Sequence, residues 1–322
     1  MNKSNNLFYK SLTILLKNNI LKEVFIFSVI ILLSVAGYSQ NKSSFFERSD
    51  TLNIKRRNTI YITEGVGAGA TLIGLNQIWY ADYPRSGFHF YNDNGSWNQM
   101  DKFGHAYSAY FIGKVGMDLL AWSGESKKNQ LIYGATLGFA FLTTVEIFDG
   151  FSEEWGFSPG DVLANALGTG LLIGQELLWD EQRIQYKFSF HTTKYPQYFS
   201  TKLGENTLQQ IIKDYNGQTY WLSVNLWSFF KESKIPRWLN VAIGYGSEGL
   251  PEIQVTPYNY PGIEPYPTFR QFYASIDVDL TKIRTKSPFL KTVFNVFNYL
   301  KIPAPTLEIT NKGKVTFHPI YF

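Results

Sequence analysis

DKFGHAYSAYFIGKVGMDLLAW, residues 101–122, is the first of three apolar runs that decide the fold. The second is LIYGATLGFAFLTTVEIF at residues 131–148, and the third is VLANALGTGLLIGQELL at residues 162–178. Short polar segments connect the three runs. Consecutive helices with short connections pack up, down and up. The sequence therefore predicts that the start of the first helix, the end of the second and the start of the third meet at one end of a bundle.

Residues able to bind a ligand lie at these three helix ends. A spacing of four residues, as between Asp101 and His105, places two side chains on one helix face. The same spacing separates Asp161 from Asn165. Because burying several acids without a cation is costly, the cluster is a candidate site for a divalent metal ion. The candidate metal ligands are Asp101, His105, Glu146, Asp149 and Asp161.

Helix capping is the alternative explanation for two of these acids. Asp101 follows Asn98 by three residues, and Asp161 follows Ser158 by three, which is the spacing of a capping box. Pro159 would then occupy the favoured first helical position. On this alternative the acids complement the helix dipoles and bind nothing.

Residues 1–40 are predicted to be a secretory signal peptide. Four lysines precede an apolar run at 24–35, and the small residues Gly37 and Ser39 fit a cleavage site. An uncleaved membrane anchor is the alternative. Residues 41–58 follow as a polar, basic linker.

The composition favours a protein of the cell envelope. The chain has 322 residues, of which 17% are aromatic, and it has no cysteine. Aromatic residues are common where proteins meet lipid headgroups, whereas disulfides, thiol chemistry and a cysteine-linked lipid anchor are excluded. Of the net charge of +4, residues 1–40 supply three units, so nucleic acid is not expected as a partner. We expect membrane lipid or other envelope components instead.

Residues 59–182 are predicted to form a close-packed bundle of about four helices. The first helix is expected at 59–80, and a loop at 81–99 follows, with Arg85, His89 and Tyr91 at the mouth of the polar end. Small residues let helices approach closely. The glycines expected at such contacts are Gly65, Gly67, Gly69, Gly134, Gly138, Gly168, Gly170 and Gly174.

Residues 183–322 are predicted to form antiparallel β-structure, because apolar and polar residues alternate there. A short amphipathic helix near 288–300, N-capped by Ser287, interrupts the strands. The fold class is therefore α+β: a helical bundle followed by an antiparallel sheet or a small β-barrel. The terminal Phe322 would fit the barrel alternative, and an ordinary edge strand explains it equally. The expected strands are 186–191, 220–226, 238–246, 272–280, 306–310 and 315–322.

The motifs of the apolar stretch, taken in order, resemble the YfiM-type family of exported bacterial proteins of unknown function. Members are described as periplasmic or outer-membrane lipoproteins, and the resemblance covers roughly residues 60–190. It implies a location in the envelope and no established chemistry, and the absence of cysteine departs from the lipoprotein pattern. A weaker resemblance links the chain to VanZ-like membrane proteins. The motifs are Asp101-Lys102-x-Gly104-His105, Glu146-x-x-Asp149-Gly150-Phe151-Ser152, Trp155-Gly156-Phe157-Ser158-x-Gly160-Asp161, Asn165 and Gln175.

Two functions are consistent with these features. The first is a structural or binding module associated with the envelope membrane, with Lys102, Glu153 and Asn165 as candidate binding residues. The second is an envelope hydrolase with a divalent-metal site, whose candidate catalytic residues are His105, Glu146 and Asp161. No His-Glu-x-x-His zinc motif occurs. Gly156-x-Ser158-x-Gly160 has the spacing of a nucleophile motif, but Ser158 is interpreted here as a helix cap, so the sequence does not decide whether the protein is an enzyme.

Overall fold

The computed structural model describes residues 45–76, 83–249 and 267–322. The predicted signal peptide lies outside these residues. Helices come first along the described chain and strands follow, which confirms the α+β prediction. The four long helices are α1 (Ile54–Leu75), α2 (Met100–Trp122), α3 (Lys127–Asp149) and α4 (Pro159–Trp179). α1 begins five residues before the predicted start at residue 59.

Glycines bring helices α2, α3 and α4 into close contact. A Cβ atom at Gly168 of α4 would overlap the carbonyl oxygen of Ala106 in α2, and one at Gly138 of α3 would overlap that of Ala109. Gly134, in a π-helical segment of α3 (Gln130–Ala135), packs in the same way on Met117. The prediction was wrong for the other five glycines, because open space surrounds the Cβ positions of Gly65, Gly67, Gly69, Gly170 and Gly174.

The predicted N-cap residue is confirmed at the start of α4 but is wrong at the start of α2. The Ser158 side chain accepts a hydrogen bond from the Asp161 N–H, and Pro159 is the first residue of α4. Asn98 was predicted to cap α2, which is wrong. Its φ is +52°, and its side chain donates to Ser247 Oγ 2.8 Å away. A contact with the sheet therefore replaces the local cap.

Among the residues that the structure describes, six strands form one antiparallel sheet in which each strand pairs with its neighbour in sequence. The sheet is open, so the alternative of a small barrel is wrong. The backbone of residues 299–301 pairs with Phe188 at the outer edge of the first strand, where a closing strand would have to pair. The strands are β1 (Ile184–Phe190), β2 (Gln218–Asn225), β3 (Leu239–Glu248), β4 (Phe269–Val278), β5 (Ala304–Thr310) and β6 (Val315–Tyr321).

In the described part of the chain, short helices lie between β1 and β2, between β2 and β3, and between β4 and β5. The amphipathic helix predicted near 288–300 spans Pro288–Phe297, and Ser287 caps it by accepting from the Leu290 N–H. The sequence did not predict the three others. In chain order the connecting helices are α5 (Pro196–Leu203), α6 (Thr207–Lys213), α7 (Leu226–Phe229) and α8 (Pro288–Phe297).

One face of β1 and β2 packs on helix α2 and forms the main core. Tyr107 of α2 lies with its ring centroid 5.8 Å from those of both Tyr186 and Tyr220. Around these rings, Met100, Tyr110 and other buried residues join the same cluster. This contact holds the sheet against the bundle and fixes the helix that carries Asp101, Lys102 and His105.

The opposite face of the sheet buries charged side chains. Lys187 and Lys301 flank Asp277, and all three are almost completely buried. Lys187 Nζ lies 2.8 Å from Asp277 Oδ2, while Lys301 donates to the carbonyl oxygens of Ile276 and Ile302 at 2.8 and 2.7 Å. Burial lowers the pKa of Lys301 to about 8. Buried polar and charged side chains therefore cover this face, and the sheet curves around them.

Candidate functional site

Lys102 lies at the centre of the polar end of the bundle. Its Nζ is 2.8 Å from Asp161 Oδ1, 2.7 Å from Asp93 Oδ1 and 3.4 Å from Asp101 Oδ2. The ammonium group thereby joins the first turns of α2 and α4 to the loop before α2. Burial opposes the charge of Lys102, but these carboxylates raise its pKa above the ordinary value, so the side chain stays protonated.

His105, one turn further along α2, connects to the other two helices. Its Nδ1 lies 3.1 Å from Asn165 Oδ1, and because an amide oxygen only accepts, Nδ1 carries the proton. Its Nε2 faces Glu146 Oε1 at 3.5 Å and Asp101 Oδ1 at 3.9 Å. Burial lowers the pKa of His105, but the carboxylates of Asp101, Asp161 and Glu146 outweigh it, and the pKa is raised.

Glu146 and Asp161 are buried carboxyls. Burial raises the pKa of Glu146 to about 8 and that of Asp161 to about 7, and repulsion from Asp101 adds to the second shift. Glu146 Oε2 also accepts a hydrogen bond from the Ser158 N–H at 3.1 Å. That bond ties the end of α3 to the start of α4 and fixes the direction in which Glu146 faces His105.

Two residues that the sequence did not single out complete the cluster. Asp93 Oδ1 accepts a hydrogen bond from Ser158 Oγ at 2.6 Å, besides its ion pair with Lys102. Burial works against the charge of Asp93, but these two partners lower its pKa. Tyr215, from the turn before β2, donates to Asp101 Oδ1 at 2.8 Å. The β region therefore helps to position an acid of the bundle.

Three of the predicted metal ligands could hold one ion. Asp101, His105 and Asp161 each offer a ligand atom, and these atoms lie within 4.8 Å of one another. Two carboxylate oxygens and one imidazole nitrogen suit a hard or borderline divalent cation. Lys102 would have to release Asp161 and Asp101 to admit the ion, and it would keep its ion pair with Asp93.

An unpartnered donor lies beside this group. Asn165 is fully buried, and within the described part of the chain its Nδ2 has no hydrogen-bond partner. A buried donor that lacks a hydrogen bond costs free energy of folding. Since Asn165 Oδ1 contacts His105, the free amide N–H lies next to the candidate ion site, where an oxygen of a bound molecule would satisfy it.

Two of the predicted residues lie at the margin of the cluster. Asp149, at the last position of α3, is half-buried and near enough to Glu146 to help raise the pKa of that carboxyl by repulsion. It does not share the three-ligand group. The side chain of Glu153 is exposed, and its backbone N–H donates to the carbonyl of Pro84. We therefore assign Glu153 to the surface turn.

The fold and cluster define a helical bundle with a charged site at one end and an attached antiparallel sheet. Residues 89–174 match the model of a family described as predicted periplasmic lipoproteins (DUF2279). The matched segment contains every residue of the cluster except Tyr215. Searches of curated proteins and of solved structures found no match. The family match supports an exported protein of the cell envelope.

Proposed function

We propose that the protein is a binding module associated with the envelope membrane, and that its helix-end cluster binds a divalent cation. The observation that carries the membrane association is the polarity of the sheet. Along β3 to β6 the exposed face is apolar and the buried face is largely polar. A sheet that faces water on one side has the reverse pattern, whereas lipid-facing sheets place apolar residues outward.

The apolar face is continuous across four strands. Ile243 in β3 pairs with Ala274 in β4, Ala274 pairs with Leu307 in β5, and Leu307 pairs with Phe317 in β6. Of these, Ile243 is 63% exposed and Phe317 is 64% exposed. Exposed apolar patches of this kind mark an interaction site. Neighbouring exposed side chains on the same face are Val241, Phe272, Ile276, Ile309 and Val315.

The reverse face of the same strands supports this reading. Asn240, Thr306 and Glu308 alternate with the exposed apolar residues and are buried. Tyr321 at the end of β6 contacts Thr219 of β2 through their hydroxyl groups at 2.9 Å. Polar groups thus bond to one another inside the curved sheet, and apolar groups are left for the surroundings.

The helices add to the apolar surface. Two of them, α3 and α4, are long and apolar enough to cross a membrane by length and composition, and only 22% and 39% of their most apolar windows are buried. Core helices of soluble proteins can pass the same test when they are mostly buried, but these two are not. Exposed Leu163, Leu167, Leu177 and Leu178 extend along α4. We infer contact with lipid from the sheet, and the helices are consistent with it.

The proposed ligand of the cluster follows from its charge. Asp93, Asp101, Asp161 and Glu146 are four acids gathered around one lysine and one histidine. Burying excess negative charge is unfavourable unless protons or a cation compensate it. A divalent cation at Asp101, His105 and Asp161 would supply that compensation and would stabilise the end of the bundle on binding.

A hydrolase is the second candidate, and the free Asn165 N–H favours it. A bound cation polarises an ester or phosphoryl group and activates water, and Asn165 could donate to an oxygen of the substrate. Glu146, with its pKa raised to about 8, has the range required of a general acid or base at neutral pH. The variant Glu146→Gln separates the candidates, because a hydrolase would lose turnover and a binding module has none to lose.

Cell fractionation tests the membrane association. We expect the full chain to sediment with envelope membranes and to remain in the pellet after washes with high salt and alkaline carbonate. Such washes remove proteins held by charge alone, and contacts through apolar surface resist them. Recovery of the protein in the soluble fraction before any wash would contradict the proposal.

A further inference from the structure

A cleft of about 540 Å³ lies between the C-terminal end of α1, residues 83–85 and the end of α3. This volume falls in the range of about 300–1,000 Å³ that is common for small-molecule sites. The cleft is separate from the helix-end cluster, because none of its lining residues belongs to that cluster. The side chains and backbone that line it include Leu72, Ile73, Tyr83, Arg85, Ile147 and Phe148.

The walls of the cleft are held in place by backbone hydrogen bonds. Arg85 forms an antiparallel bridge with Ser152. On either side of it, the Glu153 N–H donates to the Pro84 carbonyl at 3.1 Å and the Ser86 N–H donates to the Phe151 carbonyl at 2.9 Å. These bonds pair the loop with the turn after α3. The backbone of Arg85 is therefore fixed beside the cleft.

The cleft combines one cation with apolar walls. Arg85 is exposed, and its Nη2 donates to Asn76 Oδ1 at 3.0 Å. Within residues 45–76, 83–249 and 267–322, no carboxylate forms an ion pair with Arg85, and none of the residues lining the cleft is acidic. The site therefore complements a single negative charge attached to an apolar group, since a guanidinium prefers to bind phosphate or carboxylate oxygens.

The cleft also opens onto apolar surface. Ile73 at its α1 side and Ile147 at its α3 side are both exposed, and so is Phe151 in the turn that follows α3. A ligand with a hydrocarbon chain could therefore enter along the protein surface without crossing water. This route requires the membrane contact that is proposed above.

We propose that this cleft binds an anionic phospholipid, with one acyl chain along the apolar wall and the phosphate at Arg85. The inference rests on the proposed membrane association and names the partner that the module contacts. Inorganic phosphate would contact only the guanidinium, whereas a phospholipid contacts both the guanidinium and the apolar side chains.

Equilibrium binding to the full chain in a neutral detergent tests the proposal. The probe is fluorescent phosphatidylglycerol, displaced by unlabelled phosphatidylglycerol, by phosphatidylcholine with the same chains, or by inorganic phosphate. We expect phosphatidylglycerol to displace it best and inorganic phosphate to fail. Arg85→Gln should weaken phosphatidylglycerol about tenfold, since it removes a charge-assisted contact, and should weaken phosphatidylcholine less, because the choline already offsets the charge of that phosphate.

A matched control uses Arg284→Gln, because Arg284 is also exposed and lies far along the chain, outside the cleft lining. It should bind every lipid as the unchanged protein does. Equal loss in both arginine variants, or no loss in Arg85→Gln, would overturn the proposal. So would displacement by inorganic phosphate as effective as that by lipid. If these results occurred while the protein stayed in the membrane pellet, only the lipid site would be wrong, and the membrane association would stand.

Discussion

Asp161→Asn is expected to lower the affinity for a divalent cation by about 100-fold or more while leaving the stability of the ion-free protein almost unchanged. Loss of an outer-shell partner alone costs about 10–100-fold in metal affinity, and Asp161 is a direct candidate ligand. Its pKa is raised to about 7 by burial. Asn would therefore remove an unfavourable charge and keep the shape, so little folding free energy should be lost.

Titration with Mn²⁺ tests this prediction. The measured quantity is the rise in melting temperature with ion concentration, since an ion that binds only the folded state stabilises it. Asp118→Asn is the matched control. Asp118 is likewise a partly buried acid, but it is on α2, near the end of that helix that lies away from the cluster, and it pairs with Lys114. It should keep the full Mn²⁺ shift. An equal shift in the Asp161 variant and the unchanged protein would contradict the assignment of the ion to this cluster and leave capping as the role of Asp161.

Gly168→Ala is expected to destabilise the protein by about 3 kcal/mol, the upper end of what overpacking usually costs. The new methyl group would overlap the Ala106 carbonyl oxygen, which is backbone and cannot move aside without shifting α2 from α4. Because Asp161 and Asn165 are on α4, the same shift should also weaken Mn²⁺ binding.

Gly170→Ala, two residues further along α4, is the control for this change. Apart from the adjoining backbone of α4 itself, no atom of the described residues lies within 4 Å of a Cβ placed there, and alanine favours the helix over glycine by about 1 kcal/mol. We therefore expect Gly170→Ala to be neutral or stabilising in urea unfolding. If both variants had the same stability, the close contact between α2 and α4 would be wrong.

The sequence was sufficient to place the helix ends together, because that result depends only on three apolar runs with short connections. Spacing of four residues then put Asp101 with His105, and Asp161 with Asn165. Ser158 was also predictable, since a cap is a local interaction between neighbouring residues.

Other features depended on contacts between distant parts of the chain. Tyr215 reaches Asp101 from a turn 114 residues away, and no local pattern signals such a partner. Asn98 is a residue type that commonly caps helices, but here its side chain contacts Ser247 of β3 and its backbone has a positive φ. For Asp93 the loop composition indicated only a turn, and its approach to Lys102 follows from how the loop folds over α4.

For the glycines and the strands, too, local sequence predicted the element but not its contacts with distant parts of the chain. Small residues along a helix signal close contact, yet the sequence did not show which side of each helix meets another, so Gly170 and Gly174 were assigned wrongly. Alternation in β3 to β6 predicted strands but not which face is buried. The buried ion pair between Lys187 and Asp277, which joins β1 to β4, forms only when the sheet curves, and it marks the polar face as the inner one.

The most direct test of the membrane-associated module is the environment of the exposed sheet face in lipid vesicles. The chain has no cysteine, so Ile243→Cys and Lys312→Cys each accept one nitroxide label. Ile243 lies on the apolar face, and Lys312 is exposed in the turn between β5 and β6. We predict that oxygen, which concentrates in lipid, relaxes the label at 243 most strongly, and that a water-soluble nickel complex relaxes the label at 312. Equal access of the nickel complex to both labels, or shielding of residue 243 from both reagents by a second copy of the protein, would contradict the account.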